Sequence, residues 1–286
     1  MTHSANSAKH LPAGQERLAG KSLFLFDIDG TLALDTTLFT GTRELLDWLE
    51  ATGRTAVFIT NNSTKSRRSY VEKFARWGFA YGEERFITST YVTVDYLQQH
   101  HAGELIFLLG TESLKTELQN AGIRITEDPK DPATVALVGY DSELTYQKTR
   151  DICDLLTRHP ETTYLATHPD LCCPAIFDGV PGMVPDCGAI CQLLYCALKR
   201  WPKYIGKPDP AMADISMRLF GKTKEETIVV GDRLETDIAC GVNAGVDTAV
   251  VFTGSAHPED IADSPVKPTW EFADIEAFRQ ALMGEE

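Results

Sequence analysis

The segment 22–32, SLFLFDIDGTL, constrains the fold of this chain more than any other. Its apolar run, Leu23 to Phe26, is too short for a helix and ends at a carboxylate, which predicts a strand buried on both faces. Side chains two positions apart in an extended segment point the same way, so Asp27 and Asp29 share one face at the carboxyl end of this strand. Open α/β sheets bind their ligands at that edge.

The two carboxylates and the residues after them suit a site for a metal and an oxyanion. Gly30 lets the chain turn sharply with its backbone close to a ligand, and Thr31 adds a hydroxyl group. Two carboxylates this close repel each other unless a cation neutralises one of them or one is protonated. This pattern favours a nucleophile beside an acid/base group. The alternative interpretation is a strand that ends in an ordinary Asp-Gly turn.

A second predicted strand also ends in polar residues. Residues 55–60, TAVFIT, are apolar and β-branched, and Asn61, Asn62 and Ser63 separate them from a helical pattern. Hydroxyl and amide groups beside free N–H groups at a helix start form an anion site. Thr60, Asn61 and Asn62 are therefore candidates for binding phosphate oxygens. The alternative is helix capping by Asn62 or Ser63.

Two later strands end in charged residues. In YIGKPDP, residues 204–210, a short strand delivers Lys207 to a rigid loop, where its ammonium can neutralise both a nucleophile and a phosphate. In TIVVGDRLETD, residues 227–237, Asp232 ends an apolar strand and Asp237 follows a turn later. Hard divalent cations prefer such oxygens. Taken alone, these segments could be a surface lysine in a proline turn and an acidic helix start.

Strands and helices alternate along the chain, which predicts an α/β fold with a doubly wound parallel sheet. The alternation starts afresh near Leu105 and is long enough for a second, smaller α/β domain inserted in the first. The clearest helical patterns lie at 41–52, 146–158 and 188–200, and Trp270 and Phe272 predict a last edge strand. We expect a polar N-terminal tail over 1–18, a core domain over 19–102 and 202–286, and an inserted domain over 103–201.

The formal net charge of −14 argues against a nucleic-acid partner, because binding a phosphate backbone needs clusters of lysine and arginine. A small phosphorylated metabolite is compatible with this charge when a metal and one or two cations mask the local carboxylates. The first 20 residues lack a signal-peptide pattern, and no window reaches membrane-spanning length. We therefore predict a cytoplasmic protein without a membrane partner.

The chain contains seven cysteines, and this odd number favours reduced thiols. Cys187 and Cys191 lie one helical turn apart, and Cys172 lies upstream, which could suggest zinc. No paired CxxC spacing supports a zinc site, however, so we favour buried thiols.

The segments DIDGTL, TNNS, GKPDP and GDRLETD, in this order and each at a predicted strand end, resemble the haloacid dehalogenase superfamily of phosphatases. The insertion between the second and third resembles the type II cap of the NagD or p-nitrophenylphosphatase subfamily. The likeness covers nearly the whole chain after about Leu18 and includes LLGTESLKTELQNAGI, YDSELTYQK, LATHPD and IACGVNAGVDT. It implies a Rossmann-like core with an inserted α/β cap domain.

The resemblance also implies a reaction, which is hydrolysis of a small phosphate monoester through an aspartyl phosphate. Asp27 would be the nucleophile, Asp29 the general acid/base, and Thr60 and Lys207 the phosphate clamps. Two rival functions use the same scaffold: a phosphomutase, and a catalytically inactive phosphate-binding regulator. The placement of the cap and the intact Asp29 argue against them.

The metal implied by the resemblance is Mg²⁺. It would bind Asp27, the backbone carbonyl of Asp29, and Asp232. Asp237 matches the second carboxylate of the fourth family motif, and would orient a metal-bound water rather than touch the ion.

Two departures from the subfamily pattern lie in the cap. Where the subfamily often reads NPD and then PGAG, this chain has HPD at 168–170 and PDCG at 185–188. These differences concern the substrate more than the chemistry, so His168, Asp170 and Asp186 are candidates for substrate recognition. Asp186 could instead cap a helix. Sugar, polyol, nucleotide and cofactor phosphates all remain open as substrates, and the resemblance allows a homodimer through the cap.

Overall fold

The computed structural model describes residues 13–63, 66–178 and 180–285. The strands in these ranges are β1 (Leu23–Phe26), β2 (Ala33–Leu34), β3 (Thr37–Leu38), β4 (Thr55–Thr60), β5 (Phe86–Thr88), β6 (Leu105–Leu109), β7 (Arg124–Thr126), β8 (Val135–Val138), β9 (Thr163–Ala166), β10 (Cys172–Phe177), β11 (Val180–Pro185), β12 (Lys203–Tyr204), β13 (Thr227–Gly231), β14 (Asp247–Val251) and β15 (Trp270–Phe272). The helices are α1 (Ala13–Ala19), α2 (Thr42–Ala51), α3 (Arg67–Arg76), α4 (Ser89–His100), α5 (Glu112–Asn120), α6 (Tyr146–Arg158), α7 (Cys187–Leu198), α8 (Ala211–Phe220), α9 (Ala239–Ala244), α10 (Asp260–Asp263) and α11 (Ile275–Met283).

The larger sheet is parallel and has the strand order β15-β14-β13-β1-β4-β5. Strand β1 lies between β13 and β4, and all four of its residues are buried, as an apolar run in a sheet covered on both faces requires. Phe26 pairs with Val230 on one side and with Phe58 on the other. The segments that follow β1, β4 and β13 therefore meet at one edge of the sheet, and the predicted doubly wound fold is confirmed.

A second parallel sheet has the order β12-β9-β8-β6-β7 and belongs to the inserted α/β unit. Strand β12 pairs with β9, so this sheet extends to Tyr204, beyond the predicted boundary at residue 201. The backbone N–H groups of Ile205 and Gly206 continue the ladder, donating to the carbonyls of Ala166 and Thr167. The next residue is Lys207. No loop therefore separates this second sheet, which belongs to the predicted cap domain, from the site residue Lys207.

The antiparallel hairpin of β10 and β11 has no counterpart among the predicted elements. Its sequence contains prolines at 174, 181 and 185, which argue against a central strand because proline lacks an N–H donor. A two-stranded hairpin consists of edge strands alone and tolerates them. The patterns at 41–52, 146–158 and 188–200 are confirmed as α2, α6 and α7, and the expected edge strand at Trp270 and Phe272 is β15.

The predicted polar N-terminal tail, residues 1–18, overlaps the described ranges only from residue 13, and residues 1–12 lie outside them. Helix α1 covers the end of the expected tail, and Leu18 is buried in the core that contains Phe24 and Phe278. Arg17 Nε donates to Asp247 Oδ2 at 2.8 Å. The assignment of residues 13–18 to a polar tail is therefore wrong, because one apolar side chain and one ion pair attach this helix to the sheet.

The thiols are free, but burial is not general among them. Cys187, Cys191 and Cys240 are buried, whereas Cys196 is exposed. The prediction of buried thiols is wrong for Cys196, which lies late in α7. Among the helices of the described ranges, none has the length and apolar character that crossing a membrane requires.

Candidate active site

Lys207 donates hydrogen bonds to two carboxylates at the carboxyl ends of the strands of the larger sheet. Its Nζ lies 2.7 Å from Asp27 Oδ1 and 2.5 Å from Asp237 Oδ1, and all three side chains are buried. Asp27 follows β1, and its backbone N–H donates to the carbonyl of Val230 in β13. Asp237 comes from the wide helical turn after β13. Three residues that lie far apart in the sequence thus form one buried charged group.

Burial and neighbouring charges shift the pKa values of this group. Burial raises the pKa of Asp27 well above its usual value; Lys207 opposes the shift, while Asp237 and Asp232 add to it. For Lys207, burial works against the charged form, but Asp237 and Asp27 outweigh it and raise the pKa. Burial and the charge of Asp237 raise the pKa of Asp232 to about 6. The site therefore holds a charged lysine, and the carboxylates around it can carry more negative charge than this one lysine neutralises.

Three carboxylates of the site could hold a cation. Oxygen atoms of Asp27, Asp232 and Asp237 lie within 4.8 Å of one another. Gly30 allows the close approach of the first loop, because it has a φ of 98° and a Cβ there would lie 2.7 Å from Asp232 Oδ2. Thr31 Oγ1 donates to Asp232 Oδ1 at 3.3 Å. Hard divalent cations prefer oxygen ligands, and the negative charge of these buried carboxylates exceeds the positive charge of Lys207. The cluster therefore fits a divalent metal ion.

Both oxygens of Asp237 already have partners in the protein. Oδ1 accepts from Lys207, and Oδ2 accepts from the backbone N–H of Arg233 at 3.0 Å. Asp232 Oδ2 accepts from the backbone N–H of Ser255 at 2.8 Å. The two contacts of Asp237 suit a residue that orients its neighbours. The metal roles predicted for Asp27, Asp29, Asp232 and Asp237 stay predictions.

The predicted acid/base residue, Asp29, has a partner that the sequence pattern did not indicate. Lys73 Nζ on α3 lies 3.1 Å from Asp29 Oδ1. The available signal was the position of Lys73 between Tyr70 and Phe74, on the buried stripe of a helix. A lysine on such a stripe is rarely buried without a partner.

The loop after β4 joins three parts of the site. Asn61 Nδ2 donates at 3.0 Å both to the carbonyl of Lys207 and to Asp170 Oδ1 in the cap. Thr60 Oγ1 accepts from the backbone N–H of Asn62 at 3.1 Å. Helix capping by Asn62 or Ser63, the alternative interpretation, is wrong, because the N-cap of α3 is Ser66.

The three cap candidates lie together over the site. His168 is buried, with Nδ1 3.8 Å from Asp170 Oδ2 and Nε2 3.5 Å from Asp186 Oδ1. Asp186 caps α7 by accepting from the Cys187 backbone N–H at 2.6 Å, so the capping interpretation is confirmed. Burial raises the pKa of Asp186, while His168 lowers it. Arg233 Nη1 lies 3.8 Å from Asp170 Oδ2.

A cavity of about 70 Å³ separates the core from the cap at this point. Most of the predicted site residues line it. Its lining is Asp27, Asp29, Thr60, Asn61, Asn62, Asp170, Cys172, Cys173, Asp186, Lys207, Arg233, Thr236 and Asp237. The sequence interpretation did not assign Cys172, Cys173, Arg233 or Thr236 to this site. The first two belong to the unpredicted hairpin, and the other two lie within the fourth motif, where their spacing from Asp232 and Asp237 was the available signal.

Comparison with known proteins places this geometry in a family. The model of the haloacid dehalogenase-like hydrolases matches residues 24–124, and a HAD-hydrolase-like model matches residues 204–278. The acid sugar phosphatase of Staphylococcus aureus (strain USA300) is 32% identical over 252 residues, which cover 88% of this chain and 94% of that protein. The chain belongs to the haloacid dehalogenase-like hydrolases.

Solved structures of haloacid dehalogenase-like phosphatases have the same architecture. The 4-nitrophenylphosphatase of Thermotoga maritima superimposes with a TM-score of 0.83 at 33% identity, covering 93% of this chain and 99% of that one. NagD from E. coli K-12 has a TM-score of 0.78 at 28% identity, covering 90% and 97%. The NagD-like resemblance is therefore confirmed, and this haloacid dehalogenase-like chain is a phosphatase.

Proposed function

We propose that the protein is a magnesium-dependent phosphatase of sugar or polyol phosphates that works through an aspartyl phosphate on Asp27. The observation that carries this proposal is the Asp27 carboxylate, held 2.7 Å from the buried Lys207 ammonium at the wall of the cavity between core and cap. Enzymes accelerate phosphate-monoester hydrolysis by up to about 10²¹-fold, so charge fixed in advance around phosphorus must supply most of the gain.

The reaction has two steps. In the first, a carboxylate oxygen of Asp27 attacks phosphorus, the bond from phosphorus to the ester oxygen breaks, and protonated Asp29 gives its proton to that oxygen. In the second, water attacks phosphorus and passes a proton to Asp29, and the bond between phosphorus and Asp27 breaks. Inorganic phosphate leaves, and both carboxyl groups return to their starting states. Lys207 offsets charge on Asp27 and on the transferred group throughout.

Magnesium is the cation that we propose for the acidic cluster. Asp27, the backbone carbonyl of Asp29, and Asp232 would hold it, with Asp237 beside them. A bound Mg²⁺ would supply charge neutralisation for the transferred phosphoryl group. The raised pKa of Asp232, about 6, supports this role, because the buried carboxylate has more negative neighbours than positive ones until a cation binds.

The proposed substrate class rests on the cap side of the cavity. Asp170 and Asp186 line it, and carboxylates there can accept hydrogen bonds from the hydroxyl groups of a sugar or polyol. The name of the Staphylococcus aureus relative, acid sugar phosphatase, supports the same class. His168 lies between the two carboxylates and would fix their positions.

Phosphate release from a panel of monoesters tests the proposal directly. We expect activity with Mg²⁺, none above background in excess chelator, and the highest kcat/KM for sugar or polyol phosphates. The Asp232→Asn variant should need more Mg²⁺ for its half-maximal rate and recover partly at high metal, because it keeps the shape but loses the charge. Asp263→Asn, at an exposed position, serves as the matched control. Full activity in chelator would contradict the metal requirement, and a preference for nucleoside monophosphates would contradict the substrate class.

Asp186→Asn separates recognition from helix capping. The amide oxygen can still accept from the Cys187 N–H, so we expect α7 to stay capped while the acceptor facing the cavity loses its charge. Relative kcat/KM values across the panel should change by about tenfold, the value of one hydrogen bond to a charged group. Asp274→Asn is the matched control, because Asp274 is also a helix N-cap, accepting from the Ala277 N–H of α11 in the core domain. Unchanged relative rates for Asp186→Asn would remove Asp186 from substrate recognition.

We also propose a cytoplasmic protein that forms a homodimer through the cap and has neither a nucleic-acid nor a membrane partner. The free thiols and the net charge of −14 support the compartment and the absence of nucleic acid. Exposed apolar side chains on the cap support the dimer; they include Phe177, Val180, Met183 and Leu193.

A further inference from the structure

Lys73 is a nearly buried cation to which the proposed reaction assigns no role. It is 7% exposed and lies on α3, between the fully buried Tyr70 and Phe74. Its Nζ is 3.1 Å from Asp29 Oδ1. Lysine is seldom buried unless it is paired, so the ion pair with Asp29 accounts for a residue that the hydrophobic face of this helix would otherwise exclude.

The position of the ammonium is fixed from a second side. Nζ lies 5.0 Å from the centroid of the ring of Trp77, the residue that follows α3. The Nε1–H of Trp77 in turn donates to the carbonyl of Thr36 at 2.7 Å, between β2 and β3. These contacts connect α3 to the segment that follows Asp29. The lysine is therefore held by the packing of its own helix and of the adjacent loop.

Asp29 is the site carboxylate that most needs such a partner. Its side chain is 36% exposed, whereas that of Asp27 is 13% exposed and held by Lys207. A group that must pass a proton to the leaving oxygen has to point at it, and a misplacement of about 1 Å can cost on the order of 10² in rate. An exposed carboxylate without a fixed partner would rotate about its terminal bond.

We propose that Lys73 is a positioning residue that donates to Oδ1 of Asp29 in both protonation states of that carboxyl group, so that the other oxygen, which carries the transferred proton, faces the cavity and the leaving group. This inference rests on the acid/base role proposed for Asp29. Lys73 acts through Asp29 and makes no contact with phosphate, which is the task of Lys207. Its removal should therefore affect proton transfer selectively, and not the attack of Asp27 on phosphorus.

The dependence of rate on the leaving group tests this. Lys73→Met keeps the aliphatic stem and removes the ammonium. With a simple alkyl phosphate, whose leaving oxygen needs a proton, we expect kcat/KM to fall by about 10- to 100-fold. With p-nitrophenyl phosphate, which does not, kcat/KM should stay within about threefold of the parent. For that substrate kcat and KM should fall together, because the second step still needs Asp29 as its base. Arg76→Met, at an exposed position of the same helix, is the control.

Two further variants decide between this inference and the function on which it rests. Asp29→Asn should show the same leaving-group selectivity, more strongly; if it does not, the acid/base role fails. If Asp29→Asn is selective and Lys73→Met is not, the role of Lys73 is overturned. In the double variant, Lys73→Met should add nothing to the loss caused by Asp29→Asn, and additive losses would also overturn it.

A general folding defect gives a different result. Should Lys73→Met fail to fold, Lys73→Gln replaces it, with the same selective loss expected. Lys73→Arg keeps the charge and should restore most of the activity with the alkyl phosphate. Equal losses on both substrates in any folded variant that lacks the ammonium would overturn the proposal.

Discussion

Asp27→Asn should abolish turnover and take up no phosphate, whereas Asp29→Asn, mixed with p-nitrophenyl phosphate, should gain about 80 Da on Asp27. An amide is a poor nucleophile and a weaker metal ligand than a carboxylate. Asp29→Asn leaves Asp27, its contact with Lys207 and the backbone carbonyl of residue 29 in place. Because p-nitrophenol leaves without help, the first step can proceed, while the second lacks its base. Loss of a general base costs on the order of 10² to 10⁴ in rate, so the phosphoenzyme should accumulate.

Intact-mass measurement after rapid mixing, followed by peptide mapping, checks this result. Phosphate on the Asp27→Asn protein would contradict the assignment of the nucleophile. Phosphate on a residue other than Asp27 in the Asp29→Asn protein would contradict it equally. Asp263→Asn should behave like the parent protein, since this exposed side chain lies on α10.

Lys207→Met should lower kcat by on the order of 10³ in a way that added Mg²⁺ does not restore. The Lys207 ammonium is bonded to Asp27 and Asp237 at the same time, and both carboxylates would be left without their cation. Removing one partner from a buried charged group destabilises a protein by roughly 3–5 kcal/mol, so the midpoint of denaturant unfolding should also fall. Mg²⁺ can compensate part of that loss of stability, but it cannot replace a donor directed at Asp27.

Metal titration of the rate and of the unfolding midpoint separates the role of Lys207 from that of the proposed metal ligands. Lys203→Met is the control, because Lys203 is exposed in the same segment. Recovery of Lys207→Met at high Mg²⁺ to the same extent as Asp232→Asn would contradict the roles given to the two residues.

The sequence predicts the core of this site well, because parallel strands order it. Strands β1, β4 and β13 are adjacent and parallel in the sheet. The side chains at their carboxyl ends therefore lie close together, independently of the conformation of the loops that follow. Asp27, Thr60 and Asp232 could therefore be placed together from their position after apolar runs. Lys207 could be assigned only through its motif, because it follows a strand of the other sheet.

Contacts made across domains and between helix faces could not be predicted in this way. The pairing of Lys73 with Asp29 depends on how α3 packs against the sheet, and no periodicity encodes that angle. The hydrogen bond from Asn61 to Asp170 depends on the position of the cap domain relative to the core domain. The β10–β11 hairpin could not be predicted because its prolines argue against a central strand, and they are tolerated here because both strands are edge strands.

The connection from the cap to Lys207 has a mechanical consequence. Only Ile205 and Gly206 separate β12 from the lysine, and both are bonded to the segment that extends β9. This exit from the cap is therefore not a free hinge. A cap that swings away as a rigid unit must either break these backbone bonds or withdraw the ammonium from Asp27. If these backbone hydrogen bonds persist, opening of the cap would also move Lys207 away from Asp27, and the charge of the nucleophile would be neutralised only while the cap is closed.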